Sequence, residues 1–114
     1  YDEISLTSQF KVISDTQEVL LDAHALGLPK LQQEQIKGGA DIASSADIFV
    51  RVLKGQGTEA QTAVVTANAA MALQCARPEL ALKEAVSIAK ETLESGKAYT
   101  LFTKLINDQK LVVA

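Results

Sequence analysis

A chain of 114 residues, 47% hydrophobic and 22% charged, has the size and composition of one ordinary globular domain, with room for a single core and no second domain. Its formal charge of −3, from 11 basic and 14 acidic residues scattered rather than blocked, gives no electrostatic footprint for nucleic acid or an anionic membrane surface. No apolar run approaches the roughly 20 residues of a membrane span, no targeting segment opens the chain, and the lone Cys75 excludes an internal disulfide, so a cytoplasmic location is expected.

The opening residues, Tyr1-Asp2-Glu3-Ile4-Ser5-Leu6, alternate polar and apolar side chains with no cap or turn before them, and Tyr1 stands where an initiator Met would; a piece of something longer is expected. Phe10, Val12 and Ser14 then alternate with Lys11, Ile13 and Asp15, and Val19-Leu20-Leu21 follows a polar interval. The interval Ser14-Asp15-Thr16-Gln17 is turn chemistry, because short polar side chains bond to local backbone. A β-hairpin with strands Phe10 to Ser14 and Val19 to Ala23 is predicted. Gly27-Leu28-Pro29 punctuates the chain, and the stretch to Gly39 reads as a connector with one short helical turn around Leu31 to Ile36.

After Gly38-Gly39 the period lengthens. Ile42, Ala46, Phe49, Val50 and Leu53 fall on one face of a helix that Gly55 and Gly57 end. Thr58-Glu59-Ala60-Gln61 is a capping-box pattern opening an Ala-rich helix to about Ala76, apolar nearly all round and therefore expected to be buried centrally. Pro78 introduces the next helix, with a stripe of Leu82, Ala85, Val86, Ala89 and Leu93 and with Gly96 as C-terminal cap. A last helix carries Leu101, Phe102, Leu105 and Ile106 before a short apolar tail, Leu111-Val112-Val113.

Few residues offer chemistry. Asp2-Glu3 supplies two hard oxygen ligands of the kind Mg²⁺ takes beside waters and substrate phosphates, although adjacency alone also describes a solvated surface pair. Gly38-Gly39 lacks the Lys-Ser/Thr of a P-loop and the third glycine of a dinucleotide fingerprint, and reads as a turn before a helix. His24, the sole histidine, reads as a solvent-facing connector residue. Cys75, beside Met71 and Leu73 with Arg77 as its only nearby cation, reads as buried and inert. The Ala-rich helix reads as core, with a partner-docking face as the alternative.

The residues at 1 to 7, Tyr-Asp-Glu-Ile-Ser-Leu-Thr, resemble the Asp-Glu-Ile/Val-Ser motif of the anthranilate phosphoribosyltransferases. The resemblance continues in order through Leu26 to Pro29, the double-glycine stretch Gln33 to Gly39, the helices at Ile48 to Gly57 and around Asn68-Ala69-Ala70, and Glu94 to Ala98. It implies that residues 1–114 are the C-terminal part of the catalytic domain, without the family's N-terminal helical domain and phosphate-binding loop. It implies Asp2 and Glu3 as ligands of the Mg²⁺ that accompanies phosphoribosyl pyrophosphate. It implies a parent reaction that moves the 5-phosphoribosyl group onto anthranilate, in tryptophan biosynthesis. The family's other contacts to phosphoribosyl pyrophosphate and its anthranilate-binding Asn and Arg lie upstream of Asp2, so no catalytic or substrate-binding residue is assigned, and the chain alone is expected to be inactive. Two departures are Tyr1, where the family commonly has glycine, and Ser8, where a small Gly or Ala is common.

The expected architecture is an α+β fragment of an α/β enzyme, an N-terminal β-hairpin followed by a bundle of four to five helices. A fragment of a related pyrimidine nucleoside phosphorylase and a non-enzymatic helical interaction domain are the competing readings; the Asp-Glu-Ile-Ser setting argues against the phosphorylase. Strands without sheet neighbours expose ladder edges that recruit other chains, so a homodimer or higher oligomer is expected.

Overall fold

The computed structural model describes residues 2–113, with side chains described as far as Lys110; the departure noted at Tyr1 lies outside the described residues. Two antiparallel strands, β1 (Phe10–Ile13) and β2 (Glu18–Leu21), form the hairpin with Phe10 opposite Leu21 and Val12 opposite Val19. These four side chains share the half-buried face, and Lys11, Ile13, Glu18 and Leu20 share the outer one, as a period of two requires. The strands are shorter than predicted because Ser14 already belongs to the turn. Its N–H donates to the Gln17 carbonyl at 2.9 Å, and its hydroxyl accepts from the Thr16 and Gln17 amides.

Two 3-10 turns follow, His24–Leu26 and Gln33–Ile36, where the sequence indicated one. Four α-helices complete the chain: α1 (Ile42–Leu53), α2 (Glu59–Ala76), α3 (Leu82–Glu94) and α4 (Lys97–Val113). The capping box of α2 forms as read, with the Thr58 hydroxyl accepting from Gln61 N–H at 3.1 Å and the Gln61 side chain accepting from Thr58 N–H at 3.0 Å. Pro78 does not start α3. It is the second residue of a turn closed by Leu80 N–H donating to the Arg77 carbonyl at 3.0 Å, and α3 begins four residues later. The segment read as an apolar tail continues α4 to Val113.

The core lies along α2 and α3. Ala60, Ala63, Ala67 and Ala70 recur at three- and four-residue steps on α2, and Ala85, Val86 and Ala89 face them from α3. Leu6, Leu26 and Leu31, from the N-terminal loop and the connector, close the cluster. Of the seven buried members that α2 and α3 contribute, all but Val86 are alanine, so the two helices meet through small side chains and approach closely. The α3 stripe is the one predicted. The all-round burial expected of α2 is not found: Val65 and Ala72 are exposed, and the stripe of small residues is what the core covers.

The faces predicted for α1 and α4 are largely uncovered. Ile42 is 90% exposed, Phe49 51%, Leu101 69% and Leu105 53%; in α1 only Val52 is buried. The two helices meet through Phe49 and Phe102, edge to face at 5.1 Å, and through Lys54 over the Tyr99 ring at 4.9 Å. Gly55, at φ 75°, lets the end of α1 lie against the end of α3; a side chain there would start 3.0 Å from the Leu93 carbonyl.

Candidate functional site

The acidic pair sits on an irregular segment that is held far more firmly than its lack of regular structure suggests. Ile4 N–H donates to Asn68 Oδ1 at 2.9 Å, and Asn68 Nδ2 donates back to the Ile4 carbonyl at 2.8 Å. Two residues on, Leu6 buries its side chain completely, and its carbonyl accepts from Leu31 N–H at 2.9 Å. Leu6 has φ 63°, in the left-handed region that costs a residue with a Cβ about 1 kcal/mol. Such backbone persists only where its surroundings over-determine it, as the Leu6 side chain and carbonyl do here. Between them Ser5 turns its hydroxyl toward Thr7, at 2.7 Å from Thr7 Oγ1 and accepting from Thr7 N–H at 3.3 Å.

Asp2 and Glu3 are both exposed, immediately before this anchored stretch. They border a groove of about 520 Å³ between the acidic segment, β1 and α2, whose lining includes Ser8, Lys11, Asn68 and Met71. Among the described residues of that lining Lys11 is the only cation, and its ammonium is engaged by Glu18 at 2.7 Å. Neither Asp2 nor Glu3 joins an ion pair among the described residues. Ser8 is exposed and donates to the Gln9 carbonyl at 3.3 Å, so its hydroxyl is accommodated at the rim of the groove.

Two adjacent carboxylates beside an open groove are a donor set that suits Mg²⁺, which takes one or two carboxylates and completes its octahedron with waters and substrate phosphates. The described residues contain no cluster of three or more His, Cys, Asp or Glu, the kind of set that would cage an ion by protein alone. The two carboxylates fit a cation that takes its remaining oxygen donors from water or a ligand.

The other candidates fall away from the groove. Gly39 lies over the first turn of α1, where a Cβ would start 2.5 Å from the Ser45 nitrogen, and its N–H donates to Ser45 Oγ at 3.1 Å. The double glycine precedes a helix, as read, but Gly39 makes a close crossing over that helix where a turn was expected. His24 is exposed and opens the first 3-10 turn. Cys75 corrects its prediction: it is exposed, because the last turns of α2 run beyond the packed alanine stripe and border an open cleft with the hairpin turn. Asn68 is the residue that sequence reading left without a role. The available signal was an Asn in the middle of an Ala-rich helix, where its amide competes with the backbone unless it has a partner elsewhere.

The family model described as "Glycosyl transferase family, a/b domain" matches residues 1–99, and the chain belongs to that family. Within it, the chain is similar to the anthranilate phosphoribosyltransferases of Cytophaga hutchinsonii, 42% identical over 106 residues, and of Christiangramia forsetii, 48% identical over 105. That of Bacteroides thetaiotaomicron is 42% identical over 106 residues. These matches cover 92–93% of this chain, whereas the chain spans about a third, 31–32%, of the length of the curated relatives it matches.

Proposed function

We propose that this chain is the metal-presenting and scaffolding part of an anthranilate phosphoribosyltransferase, and that it does not turn over substrate by itself. The observation that carries the reading is the exposed Asp2-Glu3 pair at the mouth of the groove, immediately before backbone that Asn68 fixes at Ile4 and Leu31 fixes at Leu6. The whole reaction moves the 5-phosphoribosyl group from phosphoribosyl pyrophosphate to the amino nitrogen of anthranilate and releases pyrophosphate, a step of tryptophan biosynthesis carried out in the cytoplasm. Bound Mg²⁺ supplies neutralisation of the pyrophosphate charge as the C1–O bond breaks. Asp2 and Glu3 hold the cation, and the loop beneath them keeps their backbone in place while the charge on the leaving group grows.

The groove's chemistry supports the inactivity of the isolated chain. Turnover needs cationic or amide donors to the leaving pyrophosphate besides the metal, and the one lysine among the described residues of the groove, Lys11, is engaged by Glu18. The phosphate loop and the anthranilate contacts belong, on this reading, to the other two-thirds of the enzyme. The described residues include no helix long and apolar enough to cross a membrane.

The test is isothermal titration of Mg²⁺ with phosphoribosyl pyrophosphate into the chain and into its Asp2→Ala/Glu3→Ala variant. Metal-dependent binding that the double substitution abolishes is the expected result. Absence of binding by a folded chain sinks the metal-presenting role and favours a scaffold or a helical interaction domain.

A further inference from the structure

An Asn in the interior of a helix is a poor choice unless its amide is used, and in Asn68 three of its four hydrogen-bonding sites are filled. Its oxygen accepts from Ile4 N–H, and its two N–H groups serve the Ile4 carbonyl at 2.8 Å and the Val64 carbonyl, one turn back, at 2.9 Å. The Val64 bond sets the plane of the amide, which leaves the other N–H and the oxygen side by side toward Ile4. One side chain thereby takes both polar backbone groups of one residue, the exchange made by a hydrogen-bonded pair in an antiparallel sheet. The residue so held directly follows Glu3, 64 positions away in sequence from the amide that holds it.

Other side chains fail at this position for separate reasons. Aspartate keeps the acceptor but loses both donors and sets a charge against two carbonyl oxygens. Leucine keeps the shape and makes none of the bonds. Glutamine carries the amide one methylene too far for the Ile4 and Val64 groups together. Leu6 and Leu31 anchor the segment beyond Ile4, but nothing else among the described contacts fixes the backbone next to Glu3.

We propose that Asn68 is a positioning residue for the Asp2-Glu3 metal pair: it touches neither cation nor substrate, and sets the direction in which the two carboxylates leave the core. The proposal rests on the metal reading given above. Outer partners that orient metal ligands typically control affinity by about 10- to 100-fold, so the loss of this clamp is measurable in binding without turnover.

The experiment uses the ¹⁵N-labelled chain with Mn²⁺ as a paramagnetic probe, and reads two quantities. The first is the Mn²⁺ concentration that half-broadens the amides of residues 2 to 4; the second is the exchange protection of the Ile4 N–H. Wild type is compared with Asn68→Leu, with Val65→Ala, which lies on an exposed face of the same helix outside the groove, and with Val86→Ala, which lightens the α2–α3 core without belonging to the groove's lining. Asn68→Leu is expected to lose at least about tenfold of the Ile4 protection and to need about tenfold more Mn²⁺. The two control variants are expected to keep wild-type protection at Ile4 and wild-type Mn²⁺ affinity. If Asn68→Leu does not fold, Asn68→Ala replaces it, since alanine has the highest helix propensity.

An Asn68 variant that releases Ile4 yet binds Mn²⁺ as tightly as wild type overturns the positioning role. So does an Ile4 amide unprotected in wild type, whatever the metal does. A wild-type chain with a protected Ile4 and no Mn²⁺ broadening sinks the metal reading first, and the positioning role with it, while leaving the clamp as a purely structural contact; the exchange data distinguish that failure from the others.

Discussion

At the scale of single residues, opposing terms of known size decide what a substitution does. Leu6 combines an unfavourable φ of 63° with complete burial of its side chain. Leu6→Gly relieves about 1 kcal/mol of backbone strain, but it removes a buried leucine, whose truncation typically costs about 2–5 kcal/mol. Burial wins, and a urea titration is expected to show a net loss of about 2 kcal/mol; a glycine variant as stable as wild type would mean that the loop is not packed as described. Asp41 illustrates a pH effect of definite sign. As N-cap of α1 it accepts the Ser44 hydroxyl at 2.7 Å and the Ser44 N–H at 2.8 Å, and these bonds, the hydroxyl's first, hold its carboxyl below the ordinary 3.8. A folded-state value below the unfolded one means that the cap stabilises above about pH 4 and is lost as the pH falls through the lowered value. The Ser44 amide is therefore expected to lose exchange protection, corrected for intrinsic rates, on acidification from pH 5 to pH 2. In Asp41→Asn, which caps without titrating, that protection is expected to stay flat over the same range.

At the scale of elements, the alanine stripe makes the α2–α3 contact sensitive to added volume rather than to lost volume. Ala67 is wholly buried in a cluster that also holds Ala63, Ala70, Ala85 and Ala89. Ala67→Leu adds three carbons where close-packed neighbours leave no room, and a destabilisation of about 1–3 kcal/mol is expected in chemical denaturation. An unchanged midpoint would show that the two helices stand further apart than their small residues suggest. The same two helices show how far periodicity reads. The stripe of α3 was readable because charged residues mark its opposite face, and the capping box of α2 because two positions, Thr58 and Gln61, dictate it. The buried side of α2 was not, since an Ala-rich helix has no polar face to orient it; that is why Cys75 was misplaced and Asn68 passed over. In α1 the predicted face was offset: the one buried side chain, Val52, lies outside it, Ile42 is bare, and Phe49 is covered only in part, by Phe102. Periodicity tells that a helix has an apolar side and is silent on how much of it a partner covers.

At the scale of the whole molecule, that uncovered surface can be weighed. The chain exposes 7985 Å², where a compact monomer of 12.2 kDa exposes roughly 6,100 Å². Its radius of gyration of 15.3 Å exceeds the approximately 13 Å of a compact chain of this length. The excess, roughly 1,900 Å², is more than twice the ~800 Å² that each partner contributes to a standard interface. Four of the seven large exposed hydrophobic residues described lie on α1 and α4, and two, Ile13 and Leu20, on the outer face of the hairpin, whose strands have no sheet neighbours among the described residues. An excess of exposed surface that carries these apolar side chains favours self-association, and the helical face, with four of the seven, is expected to drive it. Sedimentation at tens of micromolar is therefore expected to show a dimer or larger species. Leu101→Lys/Leu105→Lys is expected to disperse it, because each lysine places a charge in an apolar contact that offers it no partner. Dispersal by Ile13→Lys/Leu20→Lys instead would assign the contact to the hairpin, where open edges recruit strands. A wild-type chain that sediments as a monomer would overturn the expectation, and would mean that this exposed surface is tolerated in water without self-pairing.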